Sequence, residues 1–109
     1  MNKIIIPKKF QQFGSEISVE YCSTLHEDGC LGRTILDENK IRINNKDIPR
    51  DLIEHTYYHE LVHVMLEMLG MEKISKDEAK VDSIAGLLHQ HEKTKKGDLD
   101  EVVQEEERD

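Results

Sequence analysis

At 109 residues the chain amounts to one domain, enough to enclose a single modest core. Charged residues make up 35% of it, and 15 Lys+Arg against 23 Asp+Glu leave a formal net charge of -8. That balance argues against electrostatic binding to nucleic acid or to an anionic membrane, and no apolar run approaches the length of a membrane span.

Lys3–Pro7 is apolar and β-branched, a short strand or an extended lead-in. Pro7 interrupts Ile4-Ile5-Ile6 too soon for a signal-peptide core, so a cytoplasmic location is the default expectation. Phe10 and Phe13 stand at helical spacing and suggest one helical turn over Lys8–Phe13, broken by Gly14. Glu16–Tyr21 alternates, with Ile17, Val19 and Tyr21 on one face, the pattern of a half-buried strand. A turn-rich loop at His26–Gly29 leads to a second strand, Cys30–Leu36. Asp37-Glu38-Asn39-Lys40 reads as a hairpin turn in which Asn39 takes φ > 0. Ile41 and Ile43, alternating with Arg42 and Asn44, form the third strand. Cys22 and Cys30 flank the first loop and are expected as two reduced thiols; with His26 between them they lack the tight C-x-x-C pairing of structural zinc.

Asp51–Leu69 follows as an amphipathic helix, with Leu52, Thr56, Val62, Leu66 and Leu69 near helical spacing. Asp47 is its expected N-cap, with Pro49 in the first turn, and Gly70 its stop. In mid-helix stands His59-Glu60-Leu61-Val62-His63, an H-E-x-x-H pattern. Residues four apart project from one face, so both imidazoles can give a ring nitrogen to one tetrahedral zinc ion. Glu60 lies beside that position, where a carboxylate can take a proton from water. His55, one turn earlier, is expected to face solvent or to stand behind a ligand; Tyr57 and Tyr58 are expected to pack.

After Gly70 a connector, Met71–Ile74, leads to a second helix with Val81, Ile84, Ala85 and Leu88 as its apolar stripe. His89 and His91 are expected at its surface. A catalytic zinc needs a third protein ligand, and Glu78 is placed to supply it from this helix. Asp82, four residues on, could accept the other ring N–H of a liganding histidine. Glu78 has a competing role, because Ser75-x-x-Glu78 is a capping-box sequence. The metal role is favoured, since the H-E-x-x-H helix otherwise lacks its third ligand, and Asp77 or the Ser75 hydroxyl could then cap the helix.

Three strands followed by two helices indicate an α+β fold: a small three-stranded antiparallel sheet packed with an active-site helix and a second, glutamate-bearing helix. A single domain is expected over residues 1–91, with residues 92–109 an acidic, flexible tail whose carboxylates could alternatively visit the zinc as an inhibitory segment.

His59-Glu60-Leu61-Val62-His63 followed by Asp77-Glu78-Ala79-Lys80-Val81-Asp82 resembles the gluzincin pattern of zinc metallopeptidases, and the size and order of elements resemble the short metallopeptidases of phages and prophages. The resemblance implies one zinc per chain held by His59, His63 and Glu78, with Glu60 as general base and acid and Asp82 orienting a histidine. It further implies a peptide or protein substrate docked along the edge of the strand before the active helix. No motif identifies the histidine or tyrosine that stabilises the oxyanion in larger gluzincins. A non-catalytic, zinc-stabilised binding module, or a peptidase restricted to one protein partner such as a repressor, fits the same residues. Oligomeric state is not legible.

Overall fold

The most apolar strand of the sequence takes the middle of the sheet. In a computed structural model that describes residues 1–24, 29–97 and 99, the strands are β1 (Lys9–Gln12), β2 (Ser15–Tyr21), β3 (Gly32–Ile35) and β4 (Lys40–Ile43). The helices are α1 (Arg50–Met68), the short α2 (Glu72–Ser75) and α3 (Glu78–Thr94). Strand order is β1-β2-β4-β3: the outer pairs are antiparallel, while β2 and β4 run parallel, with Val19 opposite Ile41. The class remains α+β, but the expected three-stranded antiparallel sheet is replaced by a mixed sheet of four.

Two causes account for the difference. Phe13 and Gly14 have φ of 49° and 77°, a two-residue turn whose twist matches that of paired strands, so Lys9–Gln12 folds back on β2 as a hairpin and not as a helical turn. Phe13 is 78% exposed, so its helical spacing from Phe10 carries no packing. The connection through residues 22–31 is too long for a tight hairpin and steps past one strand position. Ile41 and Ile43 are both 0% exposed, and β4 enters that gap, where a neighbour covers each side. The polar Gly32-Arg33-Thr34 stretch is left at the edge.

The chain reverses between β3 and β4 through a 3-10 turn at Leu36–Glu38, and Asn39 takes the expected positive φ, 52°, a conformation asparagine tolerates. Asp47 does not cap α1. It takes φ 56° in the preceding loop, and Pro49 stands at the N-cap with its carbonyl accepting from Leu52 and Ile53, both at 3.1 Å. Gly70 ends α1 at φ +74°, its N–H donating to Glu67 O at 3.1 Å while Met71 N–H donates to Leu66 O at 2.8 Å.

α1 presents three stripes. Ile53, Tyr57 and Val64 join Ile17, Ile41 and Ile43 in the main core, with Phe10 set edge-on against Tyr57. Val62 packs instead on Val81 and Ala85 of α3, flanked by Tyr58, Leu66 and Leu88. Leu52, Leu69 and Ile84, expected in apolar stripes, are exposed. The third stripe carries His55, His59 and His63 at successive turns, facing a cleft between β3 and the first half of α3. Among the described residues no helix is long and apolar enough to cross a membrane.

Candidate metal centre

The turn from α2 into α3 decides what Glu78 can do. Asp77 is the N-cap of α3, its carboxylate accepting from Lys80 N–H at 3.2 Å, and the capping box is not formed. Ser75 is buried and its Oγ lies 2.8 Å from His63 Nδ1. Glu78, released from capping, reaches across the cleft with Oε2 2.8 Å from His59 Nε2 and Oε1 3.2 Å from His63 Nε2. Donor atoms of these three side chains all lie within 4.8 Å of one another. On the far side of its ring, His59 Nδ1 meets Asp82 Oδ1 at 3.1 Å.

This arrangement has a consequence for charge. An ionised carboxylate only accepts, so His59, set between Asp82 and Glu78, can satisfy both contacts only as an imidazolium or with a cation between Nε2 and Glu78. Two imidazole nitrogens and a carboxylate, with a cleft on the open side, are a donor set suited to catalytic zinc. The outward contacts to Asp82 and Ser75 are of the kind that hold a liganding histidine in one tautomer and orientation. His55 and Asp82 form a second triad with His59. A third, Asp51, Glu54 and His89, is already served by an ammonium: Lys93 Nζ lies 3.3 Å from Asp51 and 3.1 Å from Glu54.

Glu60 is 7% exposed and turned toward β3, where Thr34 Oγ1 donates to its Oε1 at 2.8 Å. Burial pushes its carboxyl above the usual range; the Thr34 bond and the two histidines pull the other way, and Glu78 adds to the rise. Asp82 is held below its ordinary value chiefly by the bond from His55, with burial opposing and His59 adding. Gly32 makes the approach of β3 possible, since a methyl group there would stand 2.6 Å from Thr56 Cγ2 and 3.1 Å from Glu60 Cγ and Oε2.

The cleft has two lobes. One, of about 520 Å³, runs from Glu60 past Gly32 and Thr56 to Leu31, Leu52 and His55. The other, of about 480 Å³, is bordered by Thr34, Arg33, Glu67, Ser75 and Lys76. Between them runs the open edge of β3. Leu31 O accepts from Asn44 N–H at 2.8 Å, so by antiparallel alternation Gly32 and Thr34 turn their backbone groups outward. β4, the strand directly before α1, is interior and offers no such edge.

His59, Glu60, His63, Glu78 and Asp82 are therefore brought to one cleft. Two contributors, Thr34 and Ser75, were given no place at the site in the sequence, whereas His55, expected to face solvent or to stand behind a ligand, meets Asp82 Oδ1 at 2.7 Å. Ser75 carried a signal, its place beside Glu78, but in the capping pattern it reads as a helix start. Thr34 carried none, because its contact depends on which strand takes the edge. His89 is not at the surface as expected: its Nε2 lies 2.8 Å from buried Glu54, while His91 is exposed. Tyr57 packs in the core, where burial pushes its hydroxyl up to about 12, and Tyr58 lies against His89. Cys22 and Cys30 are not in a disulfide; His26 and nearly all of the acidic tail beyond Gly97 lie outside the described residues. No family model, curated protein or solved structure matches the chain.

Proposed function

We propose that the chain is a zinc-dependent peptidase, with His59, His63 and Glu78 as ligands and Glu60 as general base. The observation that carries this reading is the convergence of His59 Nε2 and His63 Nε2 on one Glu78 carboxylate, at 2.8 and 3.2 Å, beside a buried glutamate. When bound, zinc supplies Lewis acidity, polarising the scissile carbonyl and bringing the pKa of water toward about 7. Glu60, steadied by Thr34, takes a proton as water adds to the carbonyl carbon, and delivers it to the leaving nitrogen as the C–N bond breaks. Its raised proton affinity suits a group that must both take and return a proton.

The outward groups of Gly32 and Thr34 can pair with an extended peptide. β3 runs from the lobe at Leu31 toward the lobe at Thr34, so a peptide added antiparallel runs the other way. The residue after the scissile bond then enters the lobe walled by Leu31, Leu52 and Thr56, which favours cleavage before an apolar residue. A non-catalytic zinc module is the second reading, and the packing of Tyr57 and Tyr58 away from the cleft favours it. Metal analysis combined with a peptide-library digest separates the two. The peptidase gives about one zinc per chain and cuts before apolar residues; the module gives zinc and no cleavage, and a protein that takes up no zinc defeats both.

A further inference from the structure

We infer that His55 is a positioning residue that sets the orientation of His59 by locking Asp82. The inference rests on the zinc reading above. Asp82 sits on the solvent side of α3, its side chain 58% exposed, where one bond from His59 at 3.1 Å leaves the carboxylate free to swing into water. His55 Nε2 meets the same oxygen, Oδ1, at the shorter distance of 2.7 Å. Because the carboxylate only accepts, His55 donates from Nε2 and His59 from Nδ1. The second bond thereby fixes the acceptor on which the His59 tautomer depends.

His55 is itself held. Its Cε1 stands 3.7 Å from where a Cβ on Gly86 would be, an ordinary contact distance, so α3 passes close beside the ring edge. Its other neighbour is the His89 ring, at 6.2 Å between centroids and 65° between planes. His89 is anchored on Glu54, which is 2% exposed. A continuous path therefore runs from a buried carboxylate through His89, His55 and Asp82 to the ring of His59. The single α1 stripe of His55, His59 and His63 thus divides its labour: two rings face Glu78 and the first holds the group behind His59.

The test is zinc affinity, measured by competition with a chromogenic chelator, for wild type, His55→Ala, His55→Phe, His55→Gln, Asp82→Ala and the His55→Ala/Asp82→Ala double variant. Loss of an outer hydrogen bond to a ligand typically costs about 10–100-fold in metal affinity; that is expected for Asp82→Ala, and His55→Ala, which frees Asp82, should lose affinity in the same direction and by no more than Asp82→Ala does. His55→Phe keeps a ring against Gly86 and His89 but has no N–H, so it should show the same loss while folding normally. His55→Gln carries an amide N–H near the Nε2 position and should recover most of the affinity. The double variant should bind no more weakly than Asp82→Ala alone, because His55 acts only through Asp82. A purely packing role would lower the melting temperature of metal-free protein without this pattern, and Phe would rescue better than Gln. Wild-type affinity in both His55→Ala and His55→Phe overturns the inference and leaves the zinc site standing. A wild-type protein that takes up no zinc removes the site itself, and the inference with it.

Discussion

Gly32→Ala tests how closely the edge strand must approach the helix. The new methyl would stand 2.6 Å from Thr56 Cγ2, about 1 Å inside ordinary carbon–carbon contact. Thr56 cannot turn aside cheaply: it is 5% exposed and its hydroxyl donates to Leu52 O at 2.7 Å. The strand must therefore retreat, and overpacking of this kind costs about 1–3 kcal/mol. Removing a glycine from the unfolded chain returns about 0.4–1 kcal/mol, so a net loss of roughly 1–2 kcal/mol is expected in urea denaturation. The same retreat stretches the 2.8 Å bond from Thr34 to Glu60, and displacement of a catalytic group by about 1 Å can cost ~10²-fold in rate. Thr56→Ser deletes the clashing methyl and keeps the hydroxyl, so in the Gly32→Ala background it should restore most of the stability. Hydrolysis should stay low in that double variant, because the 3.1 Å contacts with Glu60 Cγ and Oε2 remain. Gly32→Ala protein within about 0.5 kcal/mol of wild type and equally active would refute the reasoning.

Glu78→Gln should lose most zinc affinity, and Ser75→Ala about 10–100-fold through the freed His63 ring. Asp77→Ala should cost ~0.5–2 kcal/mol of stability as a lost helix cap and leave zinc affinity, read by chelator competition, unchanged. Burial alone would raise the Glu54 carboxyl, but bonds from His89, Lys93 and Arg50 outweigh it and hold the pKa below its ordinary value. Such a depressed carboxylate stabilises the fold above its unfolded pKa, about 4.3, and that contribution is lost as pH falls through the lower folded value. Glu54→Gln should therefore cost stability at neutral pH, and its deficit relative to wild type should shrink below about pH 4 in denaturation curves. Gly70→Ala should cost about 1–2 kcal/mol, since Gly70 holds φ +74° at the end of α1.

The helices were legible because their information is local. His59-Glu60-x-x-His63 needs only helical periodicity to put two rings on one face, and Gly70 marks an end through its own backbone freedom. The Glu78 and Asp82 positions follow from one more helix and the same four-residue repeat. The sheet was less legible because pairing is settled by partners far along the chain. The strand bounded by Lys40 and Ile43 could be read from its alternation, but its place between β2 and β3 depends on how much of Ile41 and Ile43 each neighbour can cover. A wrong sheet order hides Thr34, whose contact with Glu60 exists because β3 runs along the Glu60 side of α1. Phe13 misled for a related reason: spacing from Phe10 resembles a helix, yet the two-residue turn at Phe13 and Gly14 decides the matter. His89 reads as a surface residue because it stands near the end of the second helix, whereas its partner, Glu54, lies thirty-five positions away on α1. The same partner gives the polar α1–α3 seam its buried end, which no periodicity in either helix reveals.

Glu60→Gln, assayed for zinc content and peptide hydrolysis on the same preparation, tests the central claim most directly. The amide keeps the size of the side chain and can still meet the Thr34 hydroxyl through its oxygen, but cannot take a proton from water. Zinc content and melting temperature should match wild type, while hydrolysis of a peptide that wild type cleaves should fall by about 10²–10⁴-fold. Loss of zinc would make Glu60 a ligand, and undiminished hydrolysis with zinc retained would contradict its role as the base.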